Sequence, residues 1–189
     1  MVETLLFLAL SMLTSFDEAR FLNSQKQIYD SSCGYASVAT VMNWYNEDID
    51  ELKLIHETLL LKTESESKYN TTLRDLMTIF EEHGYYIKAF KMDYNALISA
   101  AERYAPLIAH FQHEGKGHFL LVLCADENTV LVSDPSSGTY TMFREEFEKD
   151  FSGNVLLIHN DNLDSDSLEK VIDECSERLS FLKNSRRFL

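Results

Sequence analysis

The sequence predicts an α+β fold, in which an N-terminal helical part packs on a C-terminal antiparallel sheet. Three segments with helical apolar spacing occupy residues 33–46, 48–61 and 71–84. Short apolar or alternating runs then recur between residues 106 and 159, and stretches rich in Gly, Pro, Asn and Asp separate them. Helices followed by a series of strands are typical of this fold class.

The first two helical segments differ in composition. Residues 33–46 are rich in small and unbranched side chains, and Ser31 or Ser32 precedes them as a candidate N-cap. Residues 48–61 contain four apolar side chains at helical spacing, which predicts a second helix. Those side chains belong to Ile49, Leu52, Ile55 and Leu59.

The third helical segment has a start signal and a stop signal. Thr71 or Thr72 can cap its first turn, and Gly84 follows its end. Residues 85–92 then favour a strand, and residues 95–104 favour a short helix.

Five runs in the second half of the chain are predicted strands. The connection between the second and third of these runs is short, which indicates a hairpin of adjacent antiparallel strands. The runs are residues 106–111, 118–124, 129–135, 138–143 and 154–159.

Length and charge limit the classes of function. The 189 residues suit one domain with terminal extensions, and the net charge is −14. Nucleic-acid binding needs clustered Lys and Arg, and the only basic run is "KNSRRFL" at the C-terminus. A solvated acidic surface is the simpler interpretation, and attraction of a basic partner peptide is the alternative.

The N-terminus contains an apolar run of nine residues, Leu5–Leu13, which is too short to span a bilayer as a helix. Its length fits the apolar part of a secretory signal, but no Lys or Arg precedes it and Glu3 lies where positive charge belongs. Residues 1–20 are therefore either a signal peptide or an N-terminal helix. The first interpretation predicts a periplasmic or secreted protein, and the second a cytoplasmic one.

The C-terminal residues 161–189 are predicted to form an amphipathic helical extension beyond a domain of residues 21–160. Docking of this helix on the domain is favoured over self-association or binding of a partner. The apolar stripe of the helix consists of Leu168, Val171, Ile172, Cys175, Leu179 and Leu182.

Cys33 is a candidate nucleophile. The three cysteines do not form a disulfide framework, because their number is odd, and no two of them form a CxxC pair. A thiol at a helix N-terminus lies near the positive end of the helix dipole, which favours the reactive thiolate. Gly34 would let a substrate backbone approach closely. A single cysteine before a helix is nevertheless more often a small buried side chain.

His118 and Asp134 are candidate partners of this thiol. His118 begins one predicted strand after a Gly-containing turn, and Asp134 ends the next strand. If those strands are adjacent and antiparallel, both residues lie at one edge of the sheet. Asp134 could then orient the imidazole of His118, as in a nucleophile–base–orienter triad.

A histidine-based metal site is not expected. His110, His113 and His118 lie close together in the sequence, but their spacing differs from the helical HExxH pattern, and we place His110 in a strand and His113 in a loop. We therefore expect neither a catalytic metal nor another cofactor.

The chain resembles the double-glycine leader peptidases, which are bacteriocin-processing cysteine peptidases with a papain-like fold. The matching motifs run from Gln27 to His159 and cover most of the chain. They include a Gln six positions before the cysteine, a Pro–strand–His-Phe strand and an Asp-Pro turn. In this sequence they read "QIYDSSCGYASVA", "APLIAHFQHEGKGHFLLVL" and "SDPSSG".

The resemblance implies roles for four residues. Cys33 would be the nucleophile, His118 the general base, Asp134 the orienter, and Gln27 an oxyanion-hole donor beside the backbone N–H of Cys33. It also implies cleavage after a Gly-Gly-like pair of small residues in a leader peptide that docks as a helix. Ser32 departs from the Asp that many members have, and no membrane region or ATPase follows, so a standalone peptidase is expected.

We therefore expect a cysteine endopeptidase that cleaves a leader or precursor polypeptide after small residues through a thioacyl-enzyme intermediate. Its partner would be the peptide or protein substrate. Two alternatives use the same fold: a peptide-binding module that does not cleave, and an acyl transferase that passes the acyl group to an amine.

Overall fold

A computed structural model of the chain describes residues 20–21, 24–45, 47–59 and 71–160, together with residues 170, 173 and 177. The predictions for residues 1–20 and 161–189 fall largely outside these residues. The helices and strands are α1 (Cys33–Trp44), α2 (Glu51–Leu59), α3 (Leu73–Glu82), β1 (Tyr86–Lys91), α4 (Tyr94–Tyr104), β2 (Leu107–His113), β3 (Lys116–Ala125), β4 (Thr129–Asp134), β5 (Gly138–Phe143), α5 (Arg144–Asp150) and β6 (Phe151–His159).

The six strands form one antiparallel sheet in the order β1-β6-β2-β3-β4-β5. Strands β2 to β5 follow one another as hairpins, and β6 returns to lie between β1 and β2. The predicted α+β class and the predicted pairing of the strands that contain His118 and Asp134 are confirmed.

The sheet has an apolar core on each face. On one face, Phe119 and Leu121 of β3 pack in the cluster formed with α1, α2 and α3. On the other face, Leu120 and Val122 pack in a second cluster with α4 and α5. A strand covered on both faces must be apolar at successive positions, which explains the continuous run "FLLVL" in β3.

Helix α1 is buried on all sides, with eleven of its twelve residues inside the molecule. It contacts α2, α3 and β3 at once. Its small side chains allow these three elements to approach closely, so the composition that predicted the helix also explains its central position.

Helix α3 begins and ends as predicted. The N–H of Asp75 donates to Oγ1 of Thr72 at 3.2 Å, and the N–H of Thr72 donates to Oδ2 of Asp75 at 2.7 Å. This reciprocal pair is a capping box. Gly84 follows the helix with a φ of 81°, a conformation that favours glycine.

The predicted second helix is present as α2, but Leu52, one of the four apolar residues at helical spacing, is 48% exposed. Helix α2 begins at Glu51, and its buried face passes through Glu51, Leu54, Ile55 and Thr58. Because these four positions follow the helical period, Leu52 must point to solvent.

The β2–β3 hairpin is tighter than the sequence indicated. Its two turn residues, Glu114 and Gly115, have φ values of 48° and 81°, as a two-residue type I′ turn requires. Strand β2 therefore continues to His113, which was predicted to lie in a loop.

Candidate active site

Cys33 is the first residue of α1, and only 5% of it is exposed. The backbone N–H of Phe119 donates to its Sγ at 3.4 Å. Ser32 occupies the N-cap position, but its hydroxyl donates to the carbonyl of Tyr29 at 2.8 Å and makes no capping bond. The serine predicted as a cap therefore stabilises the preceding turn, and its side chain leaves the first N–H groups of α1 uncapped.

His118 lies on β3 and Asp134 at the end of β4, and antiparallel pairing of these strands brings the two side chains together. The Nε2 atom of His118 is 3.0 Å from Oδ1 of Asp134. Cys33 lies close enough to the imidazole to raise its pKa. Since Nε2 is bonded to Asp134, Nδ1 is the ring nitrogen that remains available to the sulfur.

The charges at this site strongly favour a protonated imidazole. Burial lowers the pKa of His118, but its hydrogen bond with Asp134, its interaction with Cys33 and the charges of both groups outweigh burial and raise this pKa to about 10. Burial raises the pKa of Asp134, but the hydrogen bonds from His118 and Ser136 hold it below its usual value. At neutral pH the pair is an imidazolium and a carboxylate.

Two further residues contact Asp134. The N–H and the hydroxyl of Ser136 both donate to Oδ1 at 2.7 Å, and the hydroxyl of Tyr140 lies 3.4 Å from Oδ2. Ser136 could have been inferred from the Asp-Pro-Ser sequence, because Asp commonly bonds the backbone two residues later. The contact between Tyr140 and Asp134 depends on the register in which β4 pairs with β5, and no local sequence signal specifies that register.

Gln27 lies against the turn that follows Asp134. Its backbone N–H donates to the carbonyl of Pro135 at 2.9 Å, and its side-chain Nε2 donates to the carbonyl of Tyr29 at 3.0 Å. An amide nitrogen has two hydrogens, so this contact leaves one for another acceptor. The oxyanion role of Gln27 stays a prediction.

Gly34 is required for packing within the chain, and the predicted approach of a substrate backbone stays a prediction. A Cβ atom at this position would lie 2.1 Å from Oγ1 of Thr71 and 2.9 Å from Cδ2 of Leu76. The close approach that needs a glycine is therefore between α1 and the start of α3, within the chain itself.

A cavity of about 600 Å³ opens beside the sulfur of Cys33. The cavity lies between the turn before α1, the start of α3 and the β2–β3 hairpin. Its lining residues are Asp30, Ser31, Cys33, Thr71, Thr72, His110, Gly115, Lys116, Gly117 and Phe119.

The three histidines near this hairpin have separate partners. His110 bonds to Ser152 at 2.9 Å, and His113 bonds to Asp150 at 3.0 Å, whereas His118 faces Asp134. Across the described ranges, no three His, Cys, Asp or Glu side chains gather as metal ligands would. Burial lowers the pKa of His110, and Lys91 and His118 act in the same direction, so this imidazole is neutral at pH 7.

None of the helices in the described part of the chain has the length and apolar character needed to cross a membrane.

The model of the peptidase C39 family matches residues 22–162. The probable functional amyloid protease FapD of Pseudomonas fluorescens is 26% identical over 157 residues, which are 79% of this chain and 66% of that protein. The prophage-derived sublancin-168-processing and transport ATP-binding protein SunT of Bacillus subtilis is 28% identical over 143 residues, which are 73% of this chain and 19% of that protein. The chain thus spans less than two thirds of each relative.

Solved structures share the fold. The peptidase domain of Streptococcus ComA, a bifunctional ABC transporter of a quorum-sensing pathway, has a TM-score of 0.61 and 21% identity, over 72% of this chain and 96% of that one. A double glycine motif protease from an AMS/PCAT transporter, in complex with the leader peptide, has a TM-score of 0.58 and 20% identity. The match covers 71% of this chain and 89% of that one. The predicted papain-like fold is confirmed, and the chain belongs to the peptidase C39 family of cysteine peptidases, as its resemblance to double-glycine leader peptidases predicted.

Proposed function

We propose that this chain is an endopeptidase that cleaves a leader or precursor polypeptide after small residues, through a thioacyl-enzyme intermediate at Cys33. The observation that supports this proposal best is the position of His118. Its imidazole lies between the Asp134 carboxylate and the sulfur of Cys33, at the N-terminus of α1. A base held between an orienting acid and a nucleophile is the arrangement that acyl transfer requires.

In the first half of the reaction, the thiolate of Cys33 attacks the carbonyl carbon of the scissile peptide bond. The negative charge that develops on the carbonyl oxygen would be stabilised by the N–H of Cys33 and the remaining N–H of Gln27. The imidazolium of His118 then donates its Nδ1 proton to the leaving amine, the C–N bond breaks, and a thioester remains on Cys33.

In the second half, the neutral imidazole accepts a proton from a water molecule whose oxygen attacks the thioester carbon. The C–S bond breaks, the acid product leaves, and Cys33 returns as a thiolate beside the imidazolium. Asp134 remains ionised throughout, and it keeps the ring oriented with Nδ1 toward the sulfur.

The cavity beside Cys33 gives a substrate access to the sulfur. Gly115 and Gly117 form part of its wall, so a substrate backbone can approach this side closely. The name of SunT describes processing of sublancin-168, and the double glycine motif protease is in complex with a leader peptide. Both support a peptide precursor as the substrate of this chain.

The test compares wild type with Cys33→Ala on synthetic peptides that contain a Gly-Gly pair and on matched peptides with Leu-Leu at the same place. We expect wild type to hydrolyse only the Gly-Gly peptides, and Cys33→Ala to cleave neither. Mass spectrometry of the products identifies the reaction. Equal cleavage by both proteins would contradict the proposal. Tight binding without cleavage would favour a binding module, and a product joined to an added amine would favour a transferase.

A further inference from the structure

The segment from Gln25 to Ser32, which leads into Cys33, is fastened to several elements. The backbone N–H of Gln25 donates to Oγ1 of Thr40 at 2.9 Å, and its side-chain amide donates to the carbonyl of Ile49 at 2.8 Å. Its amide oxygen accepts from the N–H of Glu51 at 3.2 Å. These contacts fix the beginning of the segment against α1 and the start of α2.

The middle of the segment is held by the side chain of Glu51. This residue is only 1% exposed, and its Oε2 atom accepts from the N–H of Ile28 at 2.9 Å. Ile28 directly follows Gln27, whose own N–H donates to the carbonyl of Pro135. Glu51 and Pro135 therefore hold successive peptide units, on either side of Gln27.

A buried carboxylate at this position costs stability. Burial raises the pKa of Glu51, the hydrogen bond from the N–H of Ile28 lowers it only in part, and the charge of Asp50 raises it. Its Oε1 atom is buried without a hydrogen-bond partner among the residues that the structure describes. An amide or an apolar side chain of similar size would avoid burying a charge, so stability alone does not account for this carboxylate.

We propose that Glu51 is a positioning residue for the reaction. It holds residues 27–32 so that the side-chain amide of Gln27 and the backbone N–H of Cys33 face one point, where the substrate carbonyl oxygen develops its charge. The inference rests on the function proposed above. Glu51 does not touch the substrate; it acts through the N–H of Ile28 and the turn that precedes α1.

Glu51→Gln tests this role, because it keeps the side-chain shape and one acceptor oxygen but removes the charge. We expect kcat for a Gly-Gly peptide to fall about tenfold while KM changes less than twofold, because a neutral amide oxygen holds the N–H of Ile28 more weakly than a carboxylate does and the oxyanion donors are then less firmly positioned. The melting temperature should be no lower than that of wild type, because a buried charge is lost. The exposed Glu102→Gln on α4 is the matched control, with no expected effect.

Alkylation of Cys33 by iodoacetamide separates positioning from a general structural role. This reaction needs the thiolate but forms no oxyanion, so its rate should be unchanged in Glu51→Gln. Unchanged kcat in Glu51→Gln would overturn the inference. A parallel fall in kcat, alkylation rate and melting temperature would also overturn it, because the residue would then be structural. Failure of wild type to cleave any peptide would overturn the proposed function first, and this inference with it.

Discussion

Asp134 has more roles than the sequence indicated. Its Oδ1 atom accepts hydrogen bonds from the imidazole of His118 and from the N–H and hydroxyl of Ser136, and Tyr140 approaches Oδ2. The carboxylate thus closes its own turn and bonds the imidazole at the same time. A neutral amide could preserve the turn but would lose the charge beside the imidazolium.

Replacement of Asp134 by Asn should therefore lower kcat at least about a hundredfold, because the imidazole loses its orienting charge while the turn remains. Peptide cleavage at saturating substrate measures the effect. Asp150→Asn is the matched control, since Asp150 pairs with the exposed His113 at the same 3.0 Å distance, and it should leave kcat unchanged. Equal activity of wild type and Asp134→Asn would contradict the proposed role.

The same variant should change how stability depends on pH. The raised pKa of His118 means that its contribution to stability is complete below pH 6.5, its ordinary value, and is lost as pH rises toward about 10. The lowered pKa of Asp134 means that its contribution is complete above pH 3.8 and is lost as pH falls below that value. The free energy of unfolding, measured with urea, should decrease less between about pH 6 and about pH 9.5 in Asp134→Asn than in wild type. An equal loss would indicate that this pair does not control the difference.

Among the elements, α2 shows how one buried polar residue shifts the face of a helix. Leu52 shares the helical spacing of Ile55, but the structure places Glu51, Leu54 and Ile55 inside and leaves Leu52 exposed. The carboxylate of Glu51 occupies the core side because the N–H of Ile28 bonds to it there. The buried face of α2 therefore combines apolar side chains with one carboxylate whose hydrogen bond is satisfied inside the protein.

Two substitutions on α2 test this assignment. Leu52→Lys should change the free energy of unfolding by less than about 0.5 kcal/mol, because the side chain is at the surface. Ile55→Ala should lower it by about 3 kcal/mol, because it removes buried methyl groups and leaves a cavity. Chemical denaturation of both variants provides the comparison. A large decrease in the free energy of unfolding for Leu52→Lys, with a small decrease for Ile55→Ala, would contradict this assignment.

At the scale of the whole molecule, β3 joins the two cores of the protein. Its alternate side chains enter the helical cluster on one face and the α4–α5 cluster on the other. The same strand also contains His118 and the N–H that faces Cys33. Loss of packing on either face should therefore destabilise the whole domain in one cooperative step.

Phe147→Ala tests this coupling from the side remote from the thiol. Phe147 is fully buried and packs edge-on against Tyr94 and Phe111, so its removal should cost about 4 kcal/mol. Trp44 is the only tryptophan and lies on α1, in the opposite cluster. The urea midpoint of unfolding should fall by the same amount whether it is followed by Trp44 fluorescence or by far-UV circular dichroism. An unchanged urea midpoint by Trp44 fluorescence would contradict the coupling. Phe143→Ala, at an exposed position, is the control and should change neither midpoint.

Much of the candidate site could be anticipated from local patterns. Cys33 before a helix, His118 at a strand entrance and Asp134 before Pro135 are signals in short segments, and the hairpin between the two strands follows from turn length. The contacts of Gly34, Tyr140 and Glu51 could not be anticipated in this way. Each depends on a segment distant in the chain, whose approach no local pattern encodes.

The sequence by itself determined the types of the elements and their order, because apolar periodicity, caps and turn residues act over a few neighbouring positions. It also determined the kinds of reactive side chain. Only the tertiary structure decided that the sulfur, the imidazole and the carboxylate meet, and that a buried glutamate holds the turn before the thiol. Such meetings depend on the packing of distant segments around two cores, and the free energy of that packing is a property of the whole chain.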